Sequence, residues 1–80
     1  MDVTAKGWGA TVNDASSNAH ANCKTLAETV CSDAVFKEVI SIGDDGLVTH
    51  GGSAGVHQVT RTEKWECPKK EPPKKRRKNR

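Results

Sequence analysis

The sequence is short of the side chains that fill a protein core. Trp8, Phe36 and Trp65 are its only aromatic residues, tyrosine is absent, and hydrophobic residues make up 34% of the 80 positions. A domain of this size buries a small share of its surface and is marginally stable. A cross-link, a metal or oligomerisation would therefore help it. Long apolar runs are also missing, which excludes a membrane-spanning helix and leaves no membrane partner expected. Met1-Asp2 leads into a polar, strand-like stretch with neither a basic start nor an apolar block, so no signal peptide is visible, which leaves both cytosol and export open.

The spacings that carry chemistry are missing too. His20, Cys23, Cys31, His50, His57 and Cys67 include no C-x-x-C or H-x-x-x-H pair; His20 and Cys23 share only an i, i+3 relation, and no metal is expected. KGWGAT follows a strand-like stretch, but Val12 stands where a dinucleotide loop needs its third small residue. GGSAG lacks the Lys-Ser/Thr that follows a phosphate loop. Nothing sets a cysteine beside a histidine in a cleft, and so short a chain has little room for a pocket. No catalytic residue and no cofactor are expected, and the chain is read as not an enzyme.

What is present divides into an α+β domain over residues 1–67 and a basic tail over 68–80. Val3 to Ala10 reads as a strand in which Trp8 sits between Gly7 and Gly9, a composition that lets backbone approach closely. Thr11 with Asp14 three residues on is a helix-start signal. From Val12 to about Ser32 the apolar residues Val12, Ala15, Ala19, Cys23, Leu26 and Val30 recur in steps of three and four, the period of a helix. Ala34 to Ile42 is a second strand, Gly43-Asp44-Asp45-Gly46 reads as a turn, and Leu47 to His50 extends or pairs with that strand. Residues 51–55 read as a flexible loop, and Val56 to Cys67 as the last strand. That strand puts His57, Val59, Arg61, Glu63, Trp65 and Cys67 on one face, toward the helix. The expected architecture is β-α-β-β: one long helix on a small antiparallel sheet, whose other face is polar or pairs with another copy to form a homo-oligomer.

The cysteines number three. Cys23 and Cys31 lie two helical turns apart, about 12 Å of rise, beyond the reach of a disulfide. The bridges that reach allows are Cys31–Cys67 and Cys23–Cys67, and Cys31–Cys67 is favoured because both residues sit at element ends. The alternative is three unbonded cysteines packed as small hydrophobes.

The charge is segregated. Residues 1–67 carry five basic side chains against nine acidic ones, a net −4; residues 68–80 carry eight against one, a net +7. The tail has three prolines and no aliphatic residue, so it is expected to be disordered. Lys69, Lys70, Lys74, Lys75, Arg76, Arg77, Lys78 and Arg80 are its candidate contacts to nucleic acid or another polyanion. The run PPKKRRK resembles the nuclear import signals of the viral large-T-antigen type. The order strand, helix, antiparallel strands over residues 3–67 is similar to dodecin, a small flavin-storing oligomer; that likeness lies in element order and implies an oligomeric ligand store. Three readings follow: a non-catalytic module with a polyanion-contacting tail, nuclear or cytoplasmic; an exported interaction domain held by Cys31–Cys67; and a dodecin-like oligomer.

Overall fold

A computed structural model describes residues 1–68. Four elements follow in order: β1 (Asp2–Gly9), α1 (Val12–Val30), β2 (Val35–His50) and β3 (Ser53–Glu66). The strands form one antiparallel sheet in the order β1-β3-β2. The fold is α+β, with one helix on a three-stranded antiparallel sheet. The expected disorder of the tail concerns residues outside the described ones.

The start of α1 follows from Thr11, whose hydroxyl accepts the backbone N–H of Asp14 at 3.0 Å. Asp14 also lies at the positive end of the helix dipole. The helix ends at Val30, two residues short of the expected Ser32, and Cys31 leaves it with extended backbone.

The buried residues of α1 are Ala15, Ala19, Cys23 and Ala27, one every fourth position. This corrects the sequence-derived stripe, because Val12, Leu26 and Val30 are exposed. The reason lies in β1. A Cβ added to Gly7 would stand 2.1 Å from the backbone nitrogen of Ala19 and 2.3 Å from the carbonyl oxygen of Ala15. The helix thus touches the strand backbone, and only alanine and cysteine fit beneath it. The larger side chains are displaced to its flanks.

On β3 the inward set is the expected one, with Val59, Glu63 and Trp65 buried. The core is two small clusters. Val3, Cys23, Ala27 and Trp65 form one, and Ala15, Ala19 and Val59 the other.

The strand connection differs from expectation. Gly43-Asp44-Asp45-Gly46 does not reverse the chain but stays inside β2. Asp44 Oδ1 accepts the N–H of Gly46 at 2.9 Å, Gly46 takes φ +85°, and the register with β3 slips between Asp44 and Gly46. The local turn chemistry builds a β-bulge, in which one extra residue bends and twists the strand. Further slips fall between Phe36 and Glu38 and between Val39 and Ser41. The reversal is made by Gly51 and Gly52, with φ +61° and +83°, the two left-handed positions of a type I′ hairpin turn. Ser53 to Gly55, expected as loop, belong to β3.

The hairpin outruns the helix. A helix of 19 residues is about 29 Å long, whereas a strand of 16 residues spans about 50 Å. The bulges also curl the hairpin. Trp8 lies opposite Gln58 and His50 opposite Ser53, five residues further along β3, yet their rings stack 3.7 Å apart and 5° from parallel. Among the described residues, no helix is long and apolar enough to cross a membrane.

Candidate functional site

Cys31 and Cys67 are bonded, with Cα atoms 5.7 Å apart. The bond ties the end of the helix to the residue just past β3, so the body is closed covalently one residue before the basic segment begins. Cys23 remains a buried free thiol. Its Sγ lies 3.4 Å from the carbonyl oxygen of Arg61 and 3.7 Å from that of Val3. Burial, and then the charge of Glu63, push its pKa up. The candidate polyanion contacts Lys69, Lys70, Lys74, Lys75, Arg76, Arg77, Lys78 and Arg80 lie outside the described residues.

The alternation of β3 predicts Glu63 on its inner face, with no partner evident from the sequence. The structure makes Glu63 the centre of a polar cluster inside the body. Its side chain is fully buried. Oε1 accepts Trp65 Nε1–H at 2.8 Å, Oε2 lies 2.7 Å from His20 Nδ1, and Oε2 also accepts Arg61 Nε–H. Arg61 reaches on to Ser16 Oγ at 2.9 Å. Burial opposes ionisation of Glu63, but the hydrogen bonds from His20, Arg61 and Trp65 outweigh it and hold the carboxyl below its usual range. The signal in the sequence was the alternation itself, since a glutamate in phase with Val59 and Trp65 needs donors when it folds inward.

Around this cluster stands an aromatic wall. His20 meets Phe36 edge-on with centroids 5.2 Å apart, and Phe36 meets Trp65 edge-on at 5.6 Å. Phe36 is the inner end of a row on β2. The register sets Phe36, Val39, Ile42, Asp44 and Leu47 opposite Trp65, Glu63, Arg61, Val59 and His57, hence on the helix side of the sheet. The helix lies over β1 and β3, and the apolar members of this row are exposed.

The opposite face carries a polar cluster around Asp45. Asp45 accepts from Thr60 and from Gln58 Nε2, and lies 3.9 Å from Lys6 Nζ. The hydrogen bonds from Thr60 and Gln58, with the nearby Lys6, pull its pKa down. Trp8 Nε1–H donates to Gln58 Oε1 at 3.0 Å. The helix side of β2 carries a row of exposed apolar side chains, Phe36, Val39, Ile42 and Leu47. No protein-family model, curated protein or solved structure matches the chain.

Proposed function

We propose that the chain is a non-catalytic binding module in which residues 69–80 contact nucleic acid or another polyanion, rooted on a disulfide-closed α+β body. The observation that carries this reading is the segregation of charge, −4 over residues 1–67 against +7 over 68–80. A cationic segment gains affinity for a polyanion by releasing condensed counterions, and the gain carries no base specificity of its own. Because Cys67 is held to Cys31, the basic segment starts at a covalently fixed point of the body.

The test is binding of labelled double- and single-stranded DNA, and of heparin, across a salt series. The full chain is compared with a variant carrying glutamine at Lys74, Lys75, Arg76, Arg77 and Lys78. The expected result is a log–log salt slope of several units, about −0.9 per neutralised phosphate, that shrinks by about 4 in the variant. Binding of heparin and both DNAs alike would make the target class polyanions in general. Absence of binding to any of them at low salt would remove the reading.

One observation favours a second reading, an exported interaction domain with an incidental basic segment. Disulfides persist in oxidising compartments, and the Cys31–Cys67 bond is formed. Thiol counting on material taken directly from an oxidising and from a reducing compartment separates the two. Survival of the fold with three free thiols in reducing material speaks for the first reading.

A further inference from the structure

The body buries its small apolar side chains and leaves most of its large ones outside. The buried set is Val3, Ala15, Ala19, Cys23, Ala27, Val59 and Trp65, with one aromatic member. Outside, the helix-side row of β2 presents Phe36, Val39, Ile42 and Leu47, from 38% exposed at Val39 to 64% at Leu47. Ile40, at a register slip of the same strand, is 48% exposed. The row meets its first charge at Asp44, beyond Ile42.

The two edges of the sheet are treated differently. At β1, two helix side chains cover the edge: Asn18 Nδ2 donates to the carbonyl of Trp8 at 2.6 Å and Asn22 Nδ2 to that of Lys6 at 2.7 Å. At β2, among the described residues, the side-chain hydrogen bond made to the strand's backbone is the internal one from Gly46 to Asp44. Proteins blunt exposed strand edges because such edges recruit further strands; here α1 does that for β1 and lies away from β2.

We propose that the helix-side row of β2, Phe36 to Leu47, is a self-association surface, covered by the same row of a second copy of this chain in an isologous contact. Size supports this occupant. The row pairs with Trp65 to His57 of β3, nine residues that span about 30 Å, and a band two strand-spacings wide is about 10 Å across, giving on the order of 300 Å² per copy. The largest apolar patch on a typical monomer is about 300–600 Å² and is often functional. Dimer interfaces are roughly 65% apolar, so such a core implies a footprint of about 450 Å² per copy, the size of a weak, reversible contact rather than the ~800 Å² of a standard specific interface. Charge agrees, because the row from Phe36 through Val39 to Ile42 holds no charged side chain, and Asp44 comes only beyond it. Supply agrees as well. A body whose large hydrophobics lie outside needs them covered in order to be stable, and another copy is present wherever the chain is made. The basic segment is no alternative occupant, since residues 69–80 contain no aliphatic side chain.

The contact is independent of polyanion binding but would double the number of basic segments per particle and raise avidity. The test is sedimentation of the full chain from roughly 1 to 200 µM together with thermal melting over the same range, because a fold coupled to association melts at a temperature that rises with concentration. Ile42→Glu, in the row, is compared with Val30→Glu, an equally apolar and more exposed position at the helix end. The expected result is an oligomer in the unaltered chain and in Val30→Glu, with a dissociation constant at least about 30-fold weaker in Ile42→Glu. A unaltered chain that stays monomeric and melts at one temperature throughout overturns the proposal. So does an oligomer that Ile42→Glu leaves intact while it keeps its native circular dichroism. Should Ile42→Glu fail to fold, the concentration dependence of the unaltered chain decides. A monomer that binds DNA removes this inference alone, and an oligomer that does not bind removes the polyanion reading alone.

Discussion

His20 Nδ1 lies 2.7 Å from Glu63 Oε2, and this contact joins the helix to a carboxylate that water does not reach. Glu63 has no freedom to leave its site, because Arg61 and Trp65 hold it from its own strand. The packing of α1 on β3 is therefore partly electrostatic, in a body whose apolar core is small.

A carboxyl held below its usual range by its donors contributes stability above the unfolded-chain value of about 4.3 and loses that contribution as pH falls through the lower folded value. Unfolding free energy measured in urea should thus drop as the pH is lowered below about 4.3. Glu63→Gln should cost about 3 kcal/mol at pH 7, because it leaves Arg61 beside a neutral amide. It should also flatten the acid limb of the stability profile. An acid limb as steep in the variant as in the unaltered protein would show that Glu63 is not its source.

The Cys31–Cys67 bond closes a loop of sequence separation 36, for which the chain-entropy relation gives about 4 kcal/mol. Replacing both cysteines by serine should lower the denaturant midpoint accordingly. Cys23 behaves oppositely, since it is buried and its thiol is pushed up by burial. Mass spectrometry after alkylation should find no adduct on the native, oxidised protein, one after unfolding without reductant, and three after unfolding with it.

Gly7 and Gly43 make a matched pair for testing how closely the helix approaches the sheet. A methyl at Gly7 would collide with the backbone of Ala15 and Ala19, whereas at Gly43 the nearest atom is Thr60 O at 3.8 Å. Neither site requires a left-handed backbone. Gly7→Ala should cost 2 kcal/mol or more, roughly the upper part of the overpacking range. Gly43→Ala should be neutral or stabilise by about 0.5 kcal/mol through the unfolded chain. Equal effects in thermal melts would contradict the close approach.

Period and capping made much of this fold legible. The helix start at Thr11, the inward face of β3 and the favoured cysteine pair could all be read from local pattern. What escaped depends on contacts distant in sequence. Leu26 and Val30 fit the helical period as well as Ala27 does, but Val3 and Trp65, on strands distant in sequence, take Ala27 into their cluster while the larger two stay outside. His20 and Glu63 are 43 positions apart, and nothing near either shows the other. Gly43-Asp44-Asp45-Gly46 and Gly51-Gly52 carry equally good turn chemistry, and only the pairing of β2 with β3 over their whole length separates bulge from reversal.

That distinction gives the last prediction. Gly51 and Gly52 have φ +61° and +83°, and a Cβ on either would meet nothing within 4 Å. Their positive φ is the sole obstacle to a side chain, and asparagine tolerates it best among non-glycine residues at the first position of a type I′ turn. Gly51→Asn should therefore keep the native turn and stabilise the protein by about 0.5 kcal/mol, because the unfolded chain loses freedom it has with two adjacent glycines. Gly51→Val should destabilise by at least about 1 kcal/mol, since a β-branched residue is strained at positive φ. At Gly46, φ +85° with open space around it, the same asparagine substitution acts on a bulge rather than a reversal, and should leave the β2–β3 pairing intact in amide hydrogen exchange. If Gly46→Asn instead abolishes protection between Leu47 and Gln58 while Gly51→Asn changes nothing, the chain reverses at Gly43–Gly46 and not at Gly51–Gly52.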